Sequence, residues 1–286
     1  MLTSAAARAN VKEITIHVLY RFYTGENTHQ RPSYYSKSLC LESMVVAVNN
    51  CPGAELTIIQ DGKERHPALE ALPQTVTVER GHRAGNSGSF LRALEVAVSL
   101  TLGPQDLIYL VEDDYLHTPD SLLRLSDGAR GIPNADYFTL YEHPNSYAFD
   151  VPDGKEFVYL VNGSYWRTIT STCMTFAGRA SAFARDKKIM VEKSQGPNPD
   201  DYAMWLALQS RPMVRRLLAL LLRLRRGRQR VLDLSKATVI RARRSDSVLL
   251  VCCLPSAATH LDLSAGLAPA QDWAVIAASI RSCELS

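Results

Sequence analysis

The sequence LIYLVEDD, residues 107–114, joins a continuous apolar run to three consecutive acidic residues, Glu112, Asp113 and Asp114. Such a run is typical of a strand that is buried on both faces of a parallel sheet. The acidic residues then stand at the carboxyl end of the strand, which is the edge where open α/β sheets bind ligands. The segment therefore predicts an α/β fold with a binding site at the end of an inner strand.

The segments before this strand alternate between strand and helix patterns. ITIHVLY (residues 14–20) predicts a first strand, residues 33–49 have near-helical spacing of apolar residues, and ELTIIQDG predicts a strand ending at Asp61. TVTVE (residues 75–79) predicts a third strand, RGHRAGNSGS a glycine-rich loop, and FLRALEVAVSL a helix. This order is typical of a parallel, nucleotide-binding α/β sheet.

Length and charge narrow the class of protein. With 286 residues and 46% hydrophobic composition, the chain can bury a large core. We interpret it as one domain, with a donor-binding half over residues 1–117 and an acceptor-side half over residues 118–286. The formal net charge of +3 is small for this length, so we expect no nucleic-acid partner.

Hydropathy and cysteine spacing favour a cytoplasmic location. The first residues lack the apolar core of a signal peptide, and the most apolar run, residues 217–222, is far shorter than a membrane-spanning helix requires. The six cysteines lack the C-x-x-C spacing of metal sites, so we expect buried thiols in a reducing compartment.

A leucine- and arginine-rich segment near residues 213–230 leaves three interpretations open. An amphipathic basic helix can bind anionic lipid, which would place the chain peripherally at the inner face of the membrane. It can equally be a surface helix with leucines on the core and arginines in solvent. In the third interpretation, the arginines face an anionic acceptor or the diphosphate of a donor.

Adjacent carboxylates at the end of a buried strand are costly unless a cation or several hydrogen-bond donors accompany them. Mg²⁺ and Mn²⁺ prefer carboxylate oxygens and keep positions open for phosphate oxygens. The acidic run is therefore a candidate metal site. The alternative is a solvated strand end or a helix cap, as for most acidic pairs.

Three segments, IIQDG, RGHRAGNSGSFLRALEVA and LIYLVEDDYLHTPDSLLRL, resemble glycosyltransferase family 2 and its GT-A relatives. The resemblance implies a GT-A type fold: a Rossmann-like, mostly parallel sheet flanked by helices, with a mixed acceptor-side half. It also implies transfer of a sugar from a nucleotide-diphospho-sugar to an acceptor hydroxyl, with Mn²⁺ or Mg²⁺ as cofactor.

Roles for individual residues follow from the same resemblance. Asp114 is expected to bind the metal, with Glu112 or Asp113 contacting ribose, metal-bound water or the metal itself. The first acid is Glu rather than the Asp of the family's D-x-D motif, which leaves open which oxygen reaches the metal. Asp61 is expected at the base or ribose. The residues expected near the donor are Arg83, Asn86 and Gly88.

Four further residues complete the candidate site. Arg21, after the first strand, suits a diphosphate or the surface. Asp201 is the preferred general base and Asp200 the second choice, although acids at a helix start are ordinarily caps. His260 is expected as a late metal ligand, with a structural role as the alternative.

Two other classes of protein remain open from the sequence. A nucleotidyltransferase also combines an α/β sheet, a nucleotide and metal-binding acids, but its glycine-rich, Lys/Arg-bearing signature near the N-terminus is missing here. The other alternative is a non-catalytic protein that binds a sugar nucleotide or a membrane surface.

Overall fold

The computed structural model of the chain describes residues 14–26, 29–73, 76–81, 84–144, 157–196, 200–209 and 248–282. Strands and helices alternate through the first half, as the hydrophobic pattern predicts. In chain order the elements are β1 (Ile16–Tyr23), α1 (Lys37–Asn49), β2 (Ala54–Asp61), α2 (Pro67–Glu70), β3 (Thr77–Arg80), α3 (Gly85–Ser99), β4 (Leu107–Glu112), β5 (Tyr115–His117), α4 (Ser121–Gly131), β6 (Tyr137–Thr139), β7 (Val158–Val161), β8 (Ser164–Thr168), β9 (Phe176–Arg179), α5 (Ala180–Lys193), α6 (Asp201–Gln209), β10 (Leu250–Leu254), β11 (Ala258–His260) and α7 (Trp273–Ser282).

The first half of the chain forms a parallel sheet in the order β3-β2-β1-β4. In this register Arg21 of β1 lies opposite Glu112 of β4, and Tyr23 lies opposite Asp61 of β2. The carboxyl ends of these strands therefore meet at one edge of the sheet. This edge carries the acidic run.

The second half extends the same sheet with mixed pairing. β9 is antiparallel to both β4 and β6, β10 is parallel to β6, and β8 and β7 follow in antiparallel pairs. A separate two-stranded sheet pairs β11 with β5, which places His260 opposite Tyr115. Because β5 follows the acidic turn directly, this small sheet brings the late histidine beside Asp114.

Hydrophobic side chains pack against both faces of the sheet. On one face, α1, α4 and α7 contribute Leu39, Leu125 and Trp273 to one buried cluster. On the other face, α3 and α6 contribute Phe90 and Trp205 to a second cluster. The inner strands are covered on both faces, which explains their continuous apolar sequences.

The α/β class, the parallel first half and the mixed second half expected from the sequence are confirmed. The single-domain organisation stays a prediction. One local expectation is wrong: the glycine-rich loop ends earlier than predicted, because α3 begins at Gly85 and includes Asn86 and Gly88. The Asp61 carboxylate accepts the N–H groups of Ala84 and Gly85, and this satisfies donors that a helix start leaves unpaired.

The basic segment at residues 213–230 lies outside the described residues. Within the ranges that the structure describes, no helix is long and apolar enough to cross a membrane. The described cysteines, Cys40, Cys51, Cys173, Cys252 and Cys253, are free thiols, in agreement with the spacing analysis.

The close approach of α4 to the sheet gives a first prediction. A Cβ atom at Gly128 would lie 2.6 Å from Cε2 of the buried Trp166 ring. Alanine favours a helix, but the overlap with the ring outweighs that gain, so we expect Gly128→Ala to lower the free energy of unfolding by about 1–3 kcal/mol. Urea denaturation measures this. Arg130→Ala, at an exposed position of the same helix, is the control and should change stability little.

Candidate functional site

The acidic run lies at the carboxyl edge of the sheet. Glu112 is the last residue of β4, and Asp113 and Asp114 form the turn into β5. Asp113 and Asp114 are only 7% and 8% exposed. Three adjacent carboxylates at such a buried position require compensating positive charge. Each of them pairs with a different basic side chain.

Asp114 binds two cationic groups through one oxygen. Its Oδ2 lies 2.9 Å from Nη2 of Arg31 and 3.0 Å from Nε2 of His260. Its Oδ1 is buried and has no hydrogen-bond partner within the described part of the chain. Burial alone would raise the pKa of Asp114, but the hydrogen bond and charge of His260, together with Arg31, hold it well below its usual range. Asp114 is therefore an ionised carboxylate with one unused oxygen.

His260 is oriented by its neighbours as well as by Asp114. Its ring stacks on Tyr115 with centroids 4.9 Å apart and an interplanar angle of 8°. Burial would lower the pKa of His260, but the hydrogen bond to Asp114 raises it overall. The stacking and the β5–β11 pairing fix the imidazole against the acidic turn.

Asp113 faces the first strand and the first helix. Its Oδ2 accepts the backbone N–H of Tyr23 at 2.9 Å and lies 3.1 Å from Nζ of Lys37. The same ammonium group donates to the carbonyl oxygens of Tyr23 and Gly25. Burial raises the pKa of Asp113 even though Lys37 opposes that effect. This pair ties the end of β1 to the acidic turn.

Arg21 connects Glu112 to the start of α3. Its Nη1 lies 3.5 Å from Oε1 of Glu112, and its Nη2 donates to the backbone and side-chain oxygens of Asn86 and, at 3.1 Å, to Oγ of Ser89. The backbone N–H of Glu112 donates to Oγ1 of Thr175 at 3.1 Å. Burial raises the pKa of Glu112 despite the charge of Arg21. Arg21 thus lies within the site rather than on the surface.

The other expected donor-side residues lie at the start of α3. The two Asp61 oxygens accept the N–H groups of Ala84 and Gly85 at 2.7 and 3.1 Å. A Cβ atom at Gly88 would lie 2.5 Å from Cβ of Ala84, so only glycine fits there without a shift. Arg83 lies outside the described residues. The roles of these residues toward a nucleotide stay predictions.

The two candidate bases at the start of α6 differ in their contacts. Oδ1 of Asp200 accepts the N–H of Ala203 at 2.9 Å, which is the contact of a helix cap. Oδ1 of Asp201 accepts the N–H of Tyr202, and burial raises the pKa of Asp201. Burial, followed by the charges of Asp201 and Glu112, raises the pKa of the Cys173 thiol to about 12. Asp201 and the acidic run therefore lie near the same thiol.

A divalent metal was expected at this position, and the chemistry of the donors fits one. Asp114 and His260 place a carboxylate and an imidazole side by side, and Oδ1 of Asp114 is buried without a partner among the described residues. No group of three or more His, Cys, Asp or Glu side chains converges elsewhere or here in the ranges described. Arg31 occupies a position next to Asp114 that a further ligand or the ion itself would need.

The sequence interpretation missed Arg31, Lys37 and Thr175. Arg31 lies in the polar loop after β1, and Lys37 begins α1 behind the cap of Ser36. Neither position belongs to a periodic pattern. The signal that was available is the presence of basic residues shortly after the first strand, on the chain segment that must cross the carboxyl edge of the sheet.

Comparisons with known proteins give low similarity. No family model matches the sequence, and a search of curated proteins found no match. The chain is similar to the structure of S. aureus TarS, with 14% identity and a TM-score of 0.42 over 68% of this chain and 34% of that one. For S. aureus TarS 1-349 the identity is 16% and the TM-score 0.41, covering 68% and 56%.

A third solved structure, 4-diphosphocytidyl-2C-methyl-D-erythritol synthase, has 12% identity and a TM-score of 0.37, covering 73% of this chain and 99% of that one. The chain spans 34% and 56% of the length of the two TarS structures. At these values the likeness concerns the fold alone, and there it agrees with the GT-A type that the sequence resembles.

The buried pair of Lys37 and Asp113 gives a second prediction. Lys37→Met leaves a buried carboxylate without its cation, so we expect a loss of about 3–5 kcal/mol in the free energy of unfolding at neutral pH. The loss should be smaller in mildly acidic buffer, because the pKa of Asp113, already raised, rises further and protonation removes the unpaired charge. Urea denaturation at the two pH values measures both effects.

The double variant Lys37→Met/Asp113→Asn should recover part of that stability, since no buried charge is then unpaired. Arg124→Met is the control, because it breaks a more exposed pair with Asp120 and should cost about 0–1 kcal/mol. Equal losses in the two single variants, without pH dependence in Lys37→Met, would contradict this description of the pair.

Proposed function

We propose that the chain is a glycosyltransferase that moves a sugar from a nucleotide-diphospho-sugar to an acceptor hydroxyl and depends on Mn²⁺ or Mg²⁺. The observation that carries the proposal is the buried pair of Asp114 and His260 at the carboxyl edge of a parallel sheet, with three basic side chains around the acidic run. Ligands of open α/β sheets bind at this edge.

The basic side chains support an anionic donor. Guanidinium groups bind phosphate oxygens through paired hydrogen bonds, and an ammonium group attracts them as a point charge. Arg21, Arg31 and Lys37 lie at the strand ends where the diphosphate of the donor would lie. Asp61 would contact the base or ribose, and Arg83, Asn86 and Gly88 would lie close to the donor.

Asp114 and His260 would hold the metal, with Glu112 as a further candidate ligand and Asp113 tied to the turn by Lys37. When bound, the divalent cation would offset the negative charge that develops on the departing diphosphate. The carboxylate of Asp114 suits this task because its pKa is well below the usual range and it stays ionised.

Asp201 would act as the general base. A carboxylate whose pKa is raised by burial is a better proton acceptor near neutral pH than an exposed one. It would take the proton of the acceptor hydroxyl as that oxygen forms a bond to the anomeric carbon. The bond from this carbon to the diphosphate breaks, and the nucleoside diphosphate leaves. Asp200 supports the start of α6 as its cap.

The cytoplasmic location and a contact of residues 213–230 with anionic lipid remain predictions from the sequence. They would place the acceptor in the cytoplasm or at the inner face of the membrane.

The proposal is tested by sugar transfer from a panel of nucleotide-diphospho-sugars to acceptor mixtures, detected by mass spectrometry with Mn²⁺, with Mg²⁺ and with EDTA. Transfer should require the metal and disappear in Asp114→Ala. Asp201→Asn should lower kcat by about 10²–10⁴-fold, with little change in the KM for the donor, because a base acts on the acceptor proton.

Asp127→Asn is the matched control, since Asp127 accepts a hydrogen bond from Asn162 at an exposed position away from the site. Release of inorganic pyrophosphate with a new nucleotide-linked product would instead indicate a nucleotidyltransferase. Donor binding without turnover in the wild type would indicate a binding protein. Full activity of Asp114→Ala would rule out the metal assignment.

A further inference from the structure

Arg31 is held at the acidic turn by three kinds of contact. Its Nη2 lies 2.9 Å from Oδ2 of Asp114, and its Nη1 donates to the carbonyl oxygen of Leu261 at 2.7 Å. Its guanidinium group lies over the ring of Tyr35, 4.7 Å from the centroid. The side chain is 10% exposed. The position of the guanidinium is therefore fixed by the fold.

Arg31 and His260 converge on the same oxygen. Nε2 of His260 lies 3.0 Å from Oδ2 of Asp114, the atom that Arg31 contacts. A carboxylate next to an imidazole nitrogen is a donor pair for a divalent ion. The guanidinium thus supplies positive charge at the place where such an ion would supply it. Two cations cannot share this position without strong repulsion.

The other two basic residues of the site differ from Arg31 in this respect. Lys37 is tied to the carbonyl oxygens of Tyr23 and Gly25, and Arg21 to Asn86 and Ser89. Their carboxylate partners, Asp113 and Glu112, do not contact His260 in any described hydrogen bond or ion pair. Arg31 alone, among the described basic residues of the site, pairs with the acid that also pairs with the histidine.

The anchors of Arg31 permit this pair to break. Leu261 and Tyr35 hold the side chain at points other than the Asp114 carboxylate, so the guanidinium can rotate away from Oδ2 and stay at the sheet edge. Burial would lower the pKa of Arg31, but the Asp114 carboxylate raises it overall, so the group remains charged. A charged group that leaves a carboxylate requires another anion, which the donor diphosphate supplies.

We propose that Arg31 is the counter-ion of Asp114 in the metal-free chain, and that a divalent cation must displace it from Oδ2 to bind. Arg31 is then a positioning residue that opposes binding of the metal alone and passes to the diphosphate when donor and metal enter together. This inference rests on the proposed function, since it concerns the metal and the diphosphate of that same site.

The test is the affinity for Mn²⁺ without nucleotide, measured by electron paramagnetic resonance of the free ion. Arg31→Gln should bind Mn²⁺ at least about tenfold more tightly than the wild type, because the competing charge beside Asp114 is gone. Arg31→Lys keeps the charge and should remain closer to the wild type. Equal or weaker binding by Arg31→Gln overturns the proposal.

Two further variants separate this competition from a change in folding. Arg185→Gln removes a guanidinium from the carboxylates of Asp136 and Asp186, and its Mn²⁺ affinity should equal that of the wild type. Arg31→Gln/Asp114→Asn should lose the tight site, since the ligand itself is removed. A tight site that persists in this double variant also overturns the proposal, because the ion then binds elsewhere.

The outcomes separate this inference from the proposed function. Metal-dependent sugar transfer with an unchanged Mn²⁺ affinity of Arg31→Gln leaves the function standing and rejects the role of Arg31. Tighter binding through Asp114 without any sugar transfer supports the role of Arg31 and rejects the function. If neither the wild type nor Arg31→Gln binds Mn²⁺, the role of Arg31 is rejected together with the metal.

Discussion

The structure depends on the burial of three consecutive carboxylates at the end of an inner strand, each paired with a basic side chain from another segment. Arg21 comes from β1, Lys37 from the start of α1, and Arg31 from the loop between them. Without these partners the carboxylates would be protonated or the turn would be exposed to solvent. The same three contacts fix the β1–α1 connection across the carboxyl edge of the sheet.

This arrangement links the fold to its proposed chemistry. The cations that stabilise the acids are also the groups that a diphosphate would contact, so a ligand can exchange partners with them rather than bring new charge into an apolar cleft. The antiparallel β5–β11 pair adds His260 from late in the chain. Asp201, near Cys173, adds a carboxylate whose raised pKa suits a base. Elements from both halves of the chain thus meet beside Asp114.

Local sequence predicted the parts of this arrangement that depend on local pattern. The apolar run of residues 107–111 defined β4, and the acids after it marked the edge of the sheet. The start of α3 was placed too late, because its first N–H groups are satisfied by Asp61, a residue distant in sequence. Arg31 and Lys37 could not be found from periodicity, since their carboxylate partners lie 83 residues from Arg31 and farther along from β1 in a fold that must first form. His260 was found only through the resemblance.

The central claim is that Asp114 and His260 receive a divalent cation beside a diphosphate. The most direct measurement is a crystal structure of the full chain grown with Mn²⁺ and uridine diphosphate, with the ion located by its anomalous scattering. The account predicts a peak coordinated by Asp114 and His260, with Arg31 turned from Asp114 toward the diphosphate. A bound ion away from both residues, with the pair of Arg31 and Asp114 intact, would contradict it.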